Sequence, residues 1–99
     1  MKKKLPISIT EKAIAKIDQI KKEKKISDAY FLRIGVKSAG CGVGSYVIGF
    51  DHRNEKDETF EIDQLQIIIE KIQVMHLAGK SIDYGKSDGQ LGFIFREPD

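Results

Sequence analysis

The sequence predicts a mainly β, α+β fold: a mixed or antiparallel β-sandwich, or an open barrel, with two peripheral helices. Three observations predict it. Apolar and polar residues alternate over several short runs bounded by Gly, Asp and Asn. Only two segments carry the helical period, one early and one late, which is not the strict βαβ alternation of a doubly wound parallel sheet. Finally, 99 residues with 40% apolar content suit one modest core, so residues 1–99 are read as a single domain.

The elements follow in chain order. "LPISI", residues 5–9, reads as a short edge strand, because Pro6 cannot donate to a ladder on both sides. Residues 11–25 read as a helix with Thr10 as N-cap and Ala13, Ile14, Ile17 and Ile20 along one face. From Tyr30 the period changes to two: Tyr30, Leu32, Ile34 and Val36 alternate with Phe31, Arg33, Gly35 and Lys37. "SYVIGF" repeats this after a glycine-rich turn, so the two runs are expected to pair. "TFEID" and "LQIIIE" form two more strands around a reversal at Asp63 and Gln64. "KIQVMHLA" reads as a short helix stopped by Gly79, and "SIDYG" and "GFIF" are final strands joined by "SDG". The total is seven strands and two helices. Ile34, Val36, Val47, Phe50, Ile67, Ile69, Phe93 and Phe95 are read as core, and the charged run Asp51 to Glu58 as a solvated loop.

Charge narrows the classes of function. Residues 1–25 hold nine lysines against three acids, a balance of +6, which leaves −4 elsewhere for a total of +2. Lysines at the end of the first helix offset its exposed carbonyls. No aromatic residue interleaves with them to stack on bases, so no nucleic-acid partner is expected. No apolar run approaches the ~18 residues of a membrane span, and the N-terminal apolar stretch is too short for a signal peptide. A cytoplasmic protein with no membrane partner is the expectation, in keeping with a single unpaired cysteine.

That cysteine, Cys41, lies between Gly40 and Gly42 in "VKSAGCGVGSYVIGF", residues 36–50. The glycine-rich turn and its thiol raise three possible chemistries. "GKS" occurs at Gly79 to Ser81 and Gly85 to Ser87, but the first glycine of a phosphate loop is replaced by Val74 and Lys80 respectively. Nucleophilic catalysis needs a base, for which the chain offers only His52, in the loop after the strand, and His76, read as a partly buried structural histidine. Metal ligation suits the turn well, since glycines let the backbone approach a metal and their N–H groups bond to sulfur. One cysteine is part of a site only when a second copy comes close.

The stretch "LRIGVKSAGCGVGSYVIGFD" resembles the signature of the A-type iron-sulfur cluster carriers, the HesB/IscA-like family. There, Leu-Arg-(Leu/Val/Ile)-Gly-Val-(Lys/Arg) leads to a small-residue turn, Gly-Cys and a Tyr-hydrophobic strand. "FEIDQLQIIIE", "HLAGKSIDY" and "LGFIFREP" resemble three later family blocks in the same order, so the likeness spans residues 5–98. It implies a HesB-like fold, a homodimer or tetramer, and a noncatalytic protein that binds or delivers iron or a labile Fe-S cluster to apo iron-sulfur proteins or an assembly scaffold. Cys41 matches the family's first cluster or iron ligand, and Tyr46 the aromatic that begins the next strand. The family's Cys-x-Cys pair after the final Pro is not matched, the sequence reading Pro98-Asp99, and Gly42-Val43-Gly44 replaces the usual Ser-Gly.

A [2Fe-2S] cluster takes four protein ligands, and two copies of Cys41 provide two. Candidates for the rest within the chain are His52, His76, Glu97 and Asp99. Carboxylates are hard ligands and poor substitutes for thiolate. The alternative is a metal-free HesB-like interaction module without a cofactor, in which Cys41 is only a small residue that fits the turn.

Overall fold

The computed structural model describes residues 4–37 and 45–97. Among the described residues, seven strands and two helices form: β1 (Ser8–Ile9), α1 (Glu11–Glu23), β2 (Phe31–Lys37), β3 (Ser45–Asp51), β4 (Asp57–Ile62), β5 (Leu65–Glu70), α2 (Val74–Leu77), β6 (Ser81–Ser87) and β7 (Gln90–Arg96). A 3-10 turn, Lys71–Gln73, leads into α2. The strands form two sheets, ordered β1-β6-β7 and β3-β2-β5-β4.

Both sheets are mixed. β1 runs parallel to β6 and β2 parallel to β5, while the β2–β3, β4–β5 and β6–β7 pairs are antiparallel. Tight reversals need left-handed backbone, and the β4–β5 turn has it at Asp63 (φ 48°) and Gln64 (φ 69°). The β6–β7 turn has it at Asp88 and Gly89. β1 lies at a sheet edge as expected, but it is only Ser8–Ile9, so Pro6 precedes the strand instead of lying within it.

The helix α1 starts where Thr10 accepts the Ala13 N–H at 3.2 Å; the same hydroxyl donates to Asp83 on β6 at 2.8 Å. Cap and helix-to-sheet tie are thus one side chain. The helix ends at Glu23, two residues before Lys25, whose φ of 51° turns the chain out of the helix. Ala13 and Ile17 are buried, with Ile14 packed beside them.

One core joins both sheets: Ile9 and Ile82 from the first meet Leu32, Ile34, Phe60, Ile67 and Ile69 from the second, with Ala13, Ile17 and Leu77 from the helices. At roughly 25 cal/mol per Å² of apolar surface, such side chains contribute about 1.5–3 kcal/mol each, the main force holding the layers together. Val36, Phe50, Phe93 and Phe95 pack against this core partly buried. Val47 does not join it. On β3 the inward residues are Tyr46, Ile48 and Phe50, and strand alternation places Val47 on the opposite face.

The charged run after β3 is not simply solvated. β3 and β4 are at opposite edges of their sheet, with Asp51 beside the start of β2 and Asp57 beside the end of β5, so residues 52–56 cross the face that carries Arg33, roughly three strand spacings of ~4.8 Å. Arg33 on β2 holds that crossing. Its guanidinium donates to both Asp57 oxygens at 2.8 and 2.7 Å, to Asp51 at 2.7 Å and to the His52 carbonyl at 3.2 Å. Asp57 is only 1% exposed. A buried carboxylate survives only when paired and hydrogen-bonded, and the Asn54 N–H adds a further bond at 2.9 Å. These bonds from Arg33 hold the Asp57 carboxyl below its ordinary range against the opposing effect of burial.

Candidate functional site

Cys41, with Gly40, Gly42 and Gly44, lies outside the described residues, as do Pro98 and Asp99. What is described is the frame from which their segment departs. β2 and β3 pair down to Lys37↔Ser45, the two residues that flank 38–44.

The β2 side of this frame is held by a glutamine. β5 pairs with β2 at Leu32 and Arg33 and ends at Glu70, before reaching Val36. Gln73, in the 3-10 turn after β5, takes over: its Nε2 donates to the Val36 carbonyl at 2.9 Å and its Oε1 accepts the Val36 N–H at 3.2 Å. The side-chain amide replaces a neighbouring strand's peptide, satisfying groups that would otherwise be orphaned. Gly35 makes this possible. An ideal Cβ there would lie 2.6 Å from Gln73 Oε1.

The β3 side is held by a cluster drawn from both sheets. The Tyr46 ring stacks on Phe95 of β7, centroids 4.3 Å apart and planes 5° from parallel. Its hydroxyl donates to Glu97 Oε2 at 3.0 Å and accepts from Lys80 Nζ at 2.7 Å; Lys80 and Glu97 pair at 3.0 Å. The ammonium is 4.9 Å from the ring centre, a distance its bond to the hydroxyl already accounts for, so hydrogen bonding rather than a cation over the ring describes the contact. The bonds to Tyr46 and Glu97 hold the Lys80 ammonium above its ordinary pKa. Bonds from Lys80 and then Tyr46 hold the Glu97 carboxyl below its own.

The other candidate ligands do not converge here. His52 follows the far end of β3, a strand of seven residues that at ~3.3 Å each spans roughly 20 Å from Ser45, and its ring meets that of Tyr30 at a centroid distance of 4.3 Å, tilted by 36°. His76 is exposed on α2 rather than partly buried, because Val74 and Leu77 are the residues of that single turn that pack toward the core. Ile72 (79% exposed) and Met75 (86%) share its outward side, which corrects the reading of apolar neighbours as burial. Glu97 is near the Cys41 segment's root but is occupied by Lys80 and Tyr46. Among the described residues, no three His, Cys, Asp or Glu side chains group to hold a metal ion.

Neither "GKS" opens a helix: the first leads into β6 and the second lies inside it, so the phosphate-loop reading fails on context. Sequence reasoning did not find Gln73 or Lys80. A side-chain amide standing in for a strand leaves no periodic signal, and Lys80 was visible only as part of a discarded motif. Among the described residues, no helix is long and apolar enough to cross a membrane.

Residues 5–99 match the family model for iron-sulphur cluster biosynthesis. A Bacillus subtilis protein named SufA, itself uncharacterized, is 36% identical over 94 residues, covering 94% of this chain and 78% of that one. The iron-binding protein IscA of Xenorhabdus nematophila is 32% identical over 95 residues, covering 95% and 87%. The crystal structure of IscA with the [2Fe-2S] cluster superposes with a TM-score of 0.70 at 22% identity, over 93% of this chain and 82% of that one, which establishes the shared fold.

Proposed function

This chain belongs to the iron-sulphur cluster biosynthesis family, and from that membership we propose that it is a noncatalytic carrier that binds iron or a labile iron-sulfur cluster through Cys41. The observation that carries the proposal is the match of residues 5–99 to the family, with the only thiol of the sequence in the segment that joins two strands whose ends are both held. The cluster is cargo: it is received, held and handed to an apo iron-sulfur protein or exchanged with an assembly scaffold.

The donor set dictates how the cargo is held. These 99 residues offer one thiolate, and a [2Fe-2S] cluster takes four ligands. Two chains in a homodimer, or in a tetramer built from dimers, supply two. The remainder come from the recipient protein or a small thiol, which also makes the cargo easy to release. Glu97 is not counted among them, because its carboxylate is engaged by Lys80 and Tyr46, both at Oε2. The protein works in the cytoplasm on this reading, where its single cysteine stays reduced.

The test is anaerobic reconstitution with iron and sulfide, on wild type and Cys41→Ser in parallel, reading iron and acid-labile sulfide per chain together with oligomeric state. Uptake of both elements by wild type alone, with assembly into dimers or larger species, is the expected result. Equal uptake by the variant removes Cys41 as a ligand. No uptake by either protein, with partner binding intact, makes the chain a metal-free interaction module.

A further inference from the structure

Three distant points of the chain meet at Lys80. Tyr46 stands five residues after Cys41, one residue inside β3; Glu97 is the first residue after β7; Lys80 directly precedes β6. The Lys80 side chain is 18% exposed, against 68% for Glu97, so the ammonium is drawn into the contact while the carboxylate stays at the surface. The hydroxyl of Tyr46 bridges the two, donating to one and accepting from the other. Phe95 supports the ring by stacking.

The stack and the polar bonds do different things. Stacking fixes the plane of the ring but leaves it free to slide, whereas two hydrogen bonds at the hydroxyl fix where its tip points. We infer that Lys80 is a positioning residue: it clasps Tyr46 and Glu97 together, and so fixes the β3 root of the Cys41-bearing segment relative to the end of the chain after β7. The inference rests on the carrier reading for its purpose. Two segments are thereby launched from one fixed point, the one that holds the thiol and the one that follows Glu97. In this role Lys80 acts through Tyr46.

The experiment uses the only cysteine as the reporter site. A nitroxide is attached at Cys41 in wild type, Lys80→Met, Glu97→Gln and, as a control, Lys86→Met, an exposed lysine on β6. Spectra are taken well below each protein's melting temperature, and thermal melts are run on the same samples. Loss of the clasp is expected to make the label's rotation faster by about twofold or more in Lys80→Met, less in Glu97→Gln, and not at all in Lys86→Met. Unlabelled Lys80→Met reconstituted with iron and sulfide should then release iron to a chelator faster than wild type.

A label spectrum in Lys80→Met identical to wild type overturns the inference. So does a label change seen only when the protein is partly melted, which would make Lys80 merely stabilising; the exposed Glu97 gives a second variant that keeps the fold. Failure of the carrier reading looks different. In that case wild type takes up no iron, while the label still responds to Lys80→Met.

Discussion

Gly35→Ala tests the β2 side of the frame. The new Cβ would be 2.6 Å from Gln73 Oε1, closer than carbon and oxygen approach without bonding, so the amide must leave. Its departure breaks both bonds to Val36. At a net 0.5–1.5 kcal/mol each, the loss is about 1–3 kcal/mol. An opposing effect exists: Gly35 has no positive φ, so alanine is tolerated by the backbone and reduces unfolded-chain entropy by about 0.4–1 kcal/mol. The hydrogen bonds win, leaving a net cost of about 1–2 kcal/mol. For a domain of this size that lowers the melting temperature by roughly 5–15 °C. The decisive measurement is the same substitution in a Gln73→Ala background, followed by urea denaturation. With no amide to displace, Gly35→Ala should there be neutral or slightly stabilising. An equal cost in both backgrounds would refute the account, since the two residues would then be acting independently.

Arg33→Met should destabilise by about 3 kcal/mol, the lower end for breaking a buried pair because solvent still reaches Arg33, and adding Asp57→Leu should recover much of it. In wild type Asp57 contributes stability above the unfolded carboxylate pKa of about 3.9, lost as pH falls through its lowered native value; without Arg33, burial raises that carboxyl, so the variant's deficit should narrow from pH 7 toward about 4 in denaturant titrations. Thr10→Ala removes the α1 cap and the bond to Asp83 and should cost about 1–2 kcal/mol by thermal melting. Tyr46→Phe keeps the stack on Phe95 and should cost less than about 1.5 kcal/mol, whereas Tyr46→Ala should cost clearly more.

Much of the fold could be read from period and punctuation. Alternation located β2 and β3, Asp63-Gln64 and Asp88-Gly89 marked the hairpins, and the spacing of Ala13 and Ile17 located the helix face. Period two says which way a side chain points but not which strand lies alongside, so the parallel pairings of β1 with β6 and β2 with β5 were not legible. The same limit misplaced Val47, an apolar residue on the face opposite Tyr46, Ile48 and Phe50. Charge is equally ambiguous: Asp57 sits among seven polar neighbours in sequence, and only the loop's crossing over Arg33 buries it. For the site, Cys41 stood out by being unique and by its motif, while Glu97 was one of four candidates for the remaining ligands, and the structure engages it with Lys80 and Tyr46.

The two anchors of the Cys41 segment come from one short stretch. Gln73 holds Val36 on the β2 side and Lys80 holds Tyr46 on the β3 side, with only the turn of α2 between them. That turn is itself fixed by Leu77 in the core and by the Gly79 N–H bonding back to Pro6, so both anchors refer to the same rigid point. They differ in kind. The Gln73 amide is neutral, so salt does not screen it, whereas the Lys80–Glu97 pair has one exposed partner and is weakened by salt. Raising ionic strength should therefore loosen the β3 side while leaving the β2 side intact. Above about 0.5 M salt, where the screening length is only a few ångström, the nitroxide at Cys41 in wild type should move part of the way toward its mobility in Lys80→Met, since the Lys80–Tyr46 hydrogen bond persists, and Lys80→Met itself should show no further response. A label in Lys80→Met that responds to salt as strongly as in wild type would mean that the charge being screened is not this pair.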